Sequence, residues 1–335
     1  MEITTEKTQC ENKGTQVNFD LEDEQNEKHR IQELGKTIKL KNIKKLVFGG
    51  GFLKGYALYG CIYFLMENNV LDNVTTYVGS SVGALMLLLL VLDFKCDEIQ
   101  TILTKYKFKD YENFTIENMM SFTDDFGIDN GEKIVQFIKN IIYEKTKNYY
   151  ITFKQLYDIN KKTFIVTGTH LKLRKCVYFS HLTTPDMPIW IAIRISTSFP
   201  FFFTKVNYKG IDYIDGAASS NCSVEFIEDY MHETIEDTLC VVLYNLNKFD
   251  TPTKTLVEKE TDNPMLLYIR DLFSSLRYQD FIRFKKYKYN FLELDIDFEF
   301  YKSDLSDEEI ADLIDKGKEI TKSFFNSENN SPQKI

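Results

Sequence analysis

Thr75-Thr76-Tyr77-Val78-Gly79-Ser80-Ser81-Val82-Gly83 runs directly into Ala84-Leu85-Met86-Leu87-Leu88-Leu89-Leu90-Val91-Leu92. The first four residues are β-branched or aromatic, as strands prefer. The last nine are an unbroken apolar run that reads as a buried helix. Between them lies G-x-S-x-G, with Gly79, Ser81 and Gly83 at the fixed positions. In a strand–turn–helix setting this motif projects the serine hydroxyl from the strand end, at the N-terminus of the next helix. Glycines suit so tight a turn because flanking side chains would clash there and glycine tolerates the strained backbone. The bare motif arises by chance in many chains. Its setting here makes Ser81 the candidate nucleophile of a serine hydrolase.

Upstream, Leu46-Val47-Phe48 forms a short strand pattern that runs into Gly49-Gly50-Gly51, and Lys54 to Asn69 carries aromatic and aliphatic residues at helical spacing. The opening therefore reads strand, glycine loop, helix, strand, nucleophile, helix, which implies a parallel pair joined by a crossover. Downstream, residues 93–160 look helical, with turns near Asp124-Asp125-Phe126-Gly127 and Asp129-Asn130-Gly131. Strands are expected at Thr163–Thr167 and Cys176–Phe179, then a helix from Trp190 to Ser198 stopped by Pro200. Tyr213-Ile214 is a short strand before Asp215-Gly216-Ala217, and Leu239–Tyr244 is a buried strand. Met265 to Tyr289 reads as one or two helices. The expected architecture is α/β, three layers with a mainly parallel central sheet. Residues 1–40 read as a flexible polar arm, 41–325 as one domain with a helical C-terminal part over about 262–325, and 326–335 as a flexible tail.

The chain's 335 residues allow a large core, and a formal net charge of −9 argues against a general nucleic-acid binder. The N-terminus, Met1-Glu2-Ile3-Thr4-Thr5-Glu6-Lys7, has no apolar signal region. The apolar run Ala84–Leu92 is far short of the ~20 residues a spanning helix needs. Six scattered cysteines show no C-x-x-C pair and no metal-ligand spacing. They read as reduced, structural thiols of a cytoplasmic protein, and no metal or cofactor is expected.

A serine hydroxyl is a weak nucleophile and needs a base within hydrogen-bond reach and donors for the developing oxyanion. Gly49-Gly50-Gly51 is suited to the second task, since a glycine run before a helix lets backbone amides converge on one point. A phosphate loop is the competing reading, but G-x-x-x-x-G-K-[ST] is absent and Gly50-Gly51-Phe52-Leu53-Lys54-Gly55 is not G-x-G-x-x-G. For the base there are two routes. Of four histidines, His29 lies in the polar arm and His170 and His181 precede Asp215. His232 alone follows in the Ser…Asp…His order of an α/β-hydrolase triad. The other route is a carboxylate acting directly, with Asp215 as the candidate; on turn chemistry alone, Asp215-Gly216 would be an ordinary β-turn.

Four blocks in order across roughly residues 44–245 resemble the patatin-like phospholipase family of lipid acyl hydrolases. They are Gly49-Gly50-Gly51-Phe52-Leu53-Lys54-Gly55, the elbow around Ser81, the stretch Thr184 to Pro200, and Asp215-Gly216-Ala217 followed by Asn221-Cys222-Ser223-Val224. The resemblance implies a patatin-like fold and a Ser–Asp dyad, with Ser81 as nucleophile, Asp215 as its base and Gly50 and Gly51 in the oxyanion hole. Gly49, Lys54, Gly55, Gly79, Gly83 and Gly216 support the motifs. It implies cleavage of fatty-acyl esters of phospholipid or lysophospholipid through an acyl-enzyme, without a cofactor. Two positions depart from the family pattern. Phe52 falls where the third glycine would be counted back from Lys54-Gly55, and Ser223 replaces a common proline. Phe52 is also the feature that would favour a catalytically silent lipid binder of the same fold.

Arg270, Arg277, Arg283, Lys285, Lys286 and Lys288 sit among Leu272, Phe273, Leu276, Tyr278, Phe281 and Phe284. This is either a peripheral membrane-docking face or an amphipathic helix with a solvated basic side. Phe199, Phe201, Phe202 and Phe203 either line an acyl-chain cleft or pack in the core.

Overall fold

The computed structural model describes residues 39–105, 107–111, 127–244, 272, 275, 291–296 and 304–326. The polar arm (all but its last two residues), the residues of the tail beyond Asn326, and the six basic residues between Arg270 and Lys288 lie outside them.

The chain opens with β1 (Lys45–Phe48), α1 (Gly55–Glu67), β2 (Thr76–Gly79) and α2 (Val82–Val91). Helix α3 (Cys96–Lys105) leads to β3 (Gly127–Asp129), α4 (Glu132–Thr146) and α5 (Phe153–Asn160). Then come β4 (Thr163–His170), β5 (Lys175–Phe179), α6 (Ile189–Ser196), β6 (Phe201–Phe203), β7 (Val206–Tyr208) and β8 (Ile211–Asp215). The described chain closes with α7 (Glu225–Asp229), β9 (Thr238–Val242), β10 (Phe291–Glu293) and α8 (Asp307–Asn326).

The main sheet is ordered β10-β9-β1-β2-β4-β8-β7, with β5 on the other edge of β4. From β10 to the first half of β4 every pairing is parallel, as the strand–helix–strand opening predicts. In its second half β4 pairs antiparallel with both β5 and β8, and β8 pairs antiparallel with β7. The sheet is therefore a parallel body carrying an antiparallel wing. Strands β3 and β6 form a separate parallel pair.

Both faces of the parallel body are buried, so alternate residues of each strand enter two different cores. Leu46, Phe48, Tyr77, Phe164, Val166, Leu239, Val241 and Leu292 join the larger core with α1, α2, α6 and α8. Val47, Val78, Ile165, Cys240, Val242 and Phe291 face the other way, onto Val224, Phe226 and Ile227 around α7. That is the three-layer arrangement expected from the sequence. Helix α2 is apolar on all sides and all but two of its residues are buried, which fits a core helix rather than an amphipathic one. Among the described residues no helix is long and apolar enough to cross a membrane.

Boundaries shift in understandable ways. The helix expected from Lys54 begins as a 3-10 turn (Phe52–Lys54) before α1 proper. The helix expected from Trp190 to Ser198 starts one residue earlier and ends at Ser196. Strands β3, β6, β7 and β10 are three residues each, too short for an alternation pattern to register.

Candidate active site

Ser81 joins β2 to α2 with φ 54° and ψ −130°, a backbone region that costs of order 1–3 kcal/mol for a non-glycine residue. The close packing of the turn explains both glycines of the motif. A Cβ on Gly79 would run into the Ala84 backbone, and one on Gly83 would lie 2.5 Å from the Phe48 carbonyl oxygen. Two hydrogen bonds hold the strained turn: the Ser80 amide donates to the Phe48 carbonyl at 3.1 Å, and the Ser81 amide donates to Ser196 Oγ at 2.8 Å.

Asp215 arrives from the wing. Its pairing with Gly168 places the end of β8 beside the end of β2, and the Ser81 hydroxyl donates to Asp215 Oδ2 at 2.6 Å. The other carboxylate oxygen, Oδ1, accepts the Ala217 amide at 2.8 Å. The Asp215 amide donates to the Ser198 carbonyl at 3.0 Å and its carbonyl accepts Thr169 Oγ1 at 2.7 Å. The C-terminal end of α6 thus grips both residues, Ser81 through Ser196 and Asp215 through Ser198. Asp215 is buried, and desolvation pushes its carboxyl up to about 7, against the lowering effect of the Ser81 and Ala217 hydrogen bonds. A carboxylate poised there is a stronger base at neutral pH than an ordinary aspartate.

The glycine loop lies directly against Ser81. A Cβ on Gly50 would sit 2.7 Å from Ser81 Cβ. The Gly49 amide donates to the Val241 carbonyl at 2.9 Å and the Gly50 amide to Asn221 Oδ1 at 2.7 Å. The Gly51 amide makes no hydrogen bond among the described residues. Phe52 has φ 54°, the left-handed conformation a glycine would take without strain, at the position where the family places its third glycine. Its ring contacts Phe202 edge-on at 5.7 Å and Phe199 at 6.4 Å. Gly55 allows α1 to begin beside Val82, because a Cβ there would strike the Val82 side chain. Gly216 has the same relation to Thr167.

Phe52 and Val82, the residue after Ser81, line an apolar cleft with Leu85, Met86, Leu89 and Phe137. Of the aromatic run, Phe203 is buried while Phe201 and Phe202 are half-buried.

The histidines stand elsewhere. His232 is exposed in the turn after α7, His170 packs against Tyr213, and His181 stacks on Tyr157 at 3.8 Å. None of these three hydrogen-bonds Ser81 or Asp215. Among the described residues no group of acidic, histidine and cysteine side chains is arranged to hold a metal ion. Ser196 and Asn221 were present in the quoted sequence blocks without a role. Only the folded arrangement shows that one steadies the elbow and the other the glycine loop.

The family model for patatin-like phospholipase matches residues 46–226. The chain belongs to that family. It is 30% identical over 201 residues to an uncharacterized protein of Acanthamoeba polyphaga mimivirus, covering 60% of this chain and 66% of that one. It is 27% identical over 199 residues to a probable lipid hydrolase of Invertebrate iridescent virus 6, covering 58% of this chain and 66% of that one. The matches thus span just under two thirds of each relative's own length. Among solved structures, VipD from Legionella pneumophila superposes with a TM-score of 0.53 at 16% identity, over 89% of this chain and 73% of that one. The ExoU–SpcU complex of Pseudomonas aeruginosa gives 0.51 at 15% identity, over 88% and 53%. These two share the patatin-like fold with this chain.

Proposed function

We infer that the chain is a lipid acyl hydrolase of the phospholipase A or lysophospholipase type, working through a Ser81–Asp215 dyad. The observation that carries this reading is the 2.6 Å hydrogen bond from the Ser81 hydroxyl to a buried carboxylate, with no described histidine between them. Asp215 takes the Ser81 proton as Ser81 Oγ attacks the ester carbonyl. The tetrahedral intermediate expels the alcohol, which receives that proton from Asp215, and the acyl group remains on Ser81. Water then attacks the acyl-enzyme with Asp215 again as base, and the fatty acid leaves. The Gly51 amide donates to the oxyanion. Gly50, whose amide is held by Asn221, anchors the loop and joins only when that bond opens. The apolar cleft beside Val82 and Phe52 takes the acyl chain, and the polar head remains outside it.

The test is fatty-acid release from mixed phospholipid vesicles, with Ser81→Ala alongside and a serine-reactive phosphonate as label. Release and labelling that both vanish in Ser81→Ala, with folding intact, support the reading. A wild type that neither releases fatty acid nor takes the label overturns it in favour of a silent lipid binder.

A further inference from the structure

The wing reaches past the active site. Ser81 follows Gly79, which is level with Val166 on β4, and Asp215 is level with Gly168. Beyond Gly168 the β4–β5 hairpin continues in the same direction, through His170 to the turn Leu171-Lys172-Leu173-Arg174. At about 3.3 Å per residue, Leu171 stands about 10 Å beyond the dyad along the strand. The turn closes with the Arg174 amide donating to the His170 carbonyl at 2.8 Å.

The β7–β8 hairpin ends beside it. The Leu171 amide donates to the Asp212 carbonyl at 3.2 Å, and the His170 and Tyr213 rings meet at 5.4 Å. Its two-residue turn, Lys209-Gly210, has φ 53° and 78°, the twin positive values of a tight I′ turn. Two hairpin tips therefore project together from the sheet edge that carries Ser81.

Their chemistry is unusual for solvated turns. Leu171 and Leu173 are 38% and 56% exposed within one four-residue turn. Around them Lys172, Arg174, Lys175 and Lys209 are exposed and make no ion pair among the described residues, while an acidic side chain on β8, Asp212, is already bound by Lys205 at 2.8 Å. A basic, leucine-bearing tip in a chain of net charge −9 is complementary to an anionic surface with an apolar interior. We propose that the paired hairpin tips at Leu171–Arg174 and Lys209-Gly210 are a docking surface for an anionic phospholipid bilayer, setting the Ser81 edge of the sheet against the membrane. The leucines enter the headgroup boundary while the four cations meet lipid phosphates and carboxylates. This deepens the lipid-hydrolase reading and rests on it for its purpose, but not for its binding.

The experiment is co-sedimentation of the full chain with phosphatidylcholine vesicles, with and without phosphatidylserine. It compares wild type, Leu171→Ser/Leu173→Ser and Lys172→Glu/Lys175→Glu, with cleavage of a soluble short-chain ester measured in parallel. Wild type should prefer the phosphatidylserine vesicles by about tenfold or more and release with salt, since each cation near such a surface is worth about fivefold. Each double variant should bind them at least about tenfold more weakly, yet cleave the soluble ester within about twofold of wild type. A second readout does not depend on loss. Leu173→Trp should shift its fluorescence to the blue on phosphatidylserine vesicles, while Leu182→Trp, equally exposed but past the far end of β5, should not. Variants that bind like wild type, a wild type that ignores anionic vesicles, or an unshifted Leu173→Trp would overturn the proposal. A wild type that docks but cleaves neither lipid nor soluble ester would sink the hydrolase reading and leave the docking surface standing.

Discussion

The parallel body of the sheet and its antiparallel wing each contribute one member of the Ser81–Asp215 pair, by opposite means. Ser81 is placed by local structure, a four-residue strand, a turn with two space-making glycines and a helix that starts at once. Asp215 is placed by partners remote in sequence: Gly168 and Thr169 on β4 and Ser198 after α6. The body is buried on both faces, whereas the wing ends in exposed hairpin tips. With Ser81, the proposed nucleophile, on the buried body and Asp215, its proposed base, on the more exposed wing, the hydrogen bond between them is the point where the two regions must agree.

The hardest blow to that agreement is Asp215→Asn, and it should separate activity from stability. Hydrolysis of a soluble ester should fall by on the order of 10⁴, because an amide cannot accept the Ser81 proton. Stability should move the other way. Burial raises the folded carboxyl from its ordinary 3.8 to about 7, so its favourable contribution is full below pH 4 and is lost as pH rises through 7. Above that pH, keeping it ionised costs on the order of 4 kcal/mol, which the variant escapes. A thermal midpoint at pH 8 that drops below wild type would show that Asp215 is a structural anchor of the wing instead.

Without any mutation, pH addresses the same bond. Asp215 must be ionised to act as base, so kcat/KM for a soluble ester should fall about tenfold per unit below a limb near pH 7. A flat profile from pH 5 to 8 would mean that Asp215 does not titrate in this range or does not set the rate.

Ser196 links the two regions at the next level. Ser196→Ala leaves the Ser81 amide without its acceptor in a turn that is already strained, and a buried unpaired amide costs about 1–3 kcal/mol. The elbow should drift by a fraction of an ångström, lowering kcat about tenfold with KM nearly unchanged, as misplacement of a reacting atom does. A rise in KM at constant kcat would assign Ser196 to substrate binding.

The same division explains what could be read in advance. The strand–glycine loop–helix–strand–elbow opening is legible because each step is decided within a few residues: glycines for the turn, β-branched and aromatic residues for β2, an all-apolar run for α2. The wing is not. Val206-Asn207-Tyr208 is too short to show alternation, and nothing local tells whether Asp215-Gly216 is a plain turn or half of a dyad. That depends on antiparallel pairing with β4, a contact between residues about fifty apart in the chain. Phe52 was visible as an irregularity in the glycine loop. Only the backbone shows that it keeps a glycine-like φ while its ring reaches over to Phe199 and Phe202.

The smallest expected effect decides between two whole mechanisms. An α/β-hydrolase triad would route the Ser81 proton through His232, the histidine that follows Asp215 in the chain. His232 is exposed, stands in a left-handed turn after α7, and hydrogen-bonds neither Ser81 nor Asp215, which are already bonded to each other. His232→Ala should therefore leave kcat/KM within about twofold of wild type, where loss of a general base would cost about 10²–10⁴. A pH profile of the wild type alone reports that a group titrates, not which group it is. Repeating the profile on His232→Ala removes that ambiguity: a limb that stays near pH 7 belongs to the wing's carboxylate. One that disappears returns the proton to the histidine and breaks the dyad.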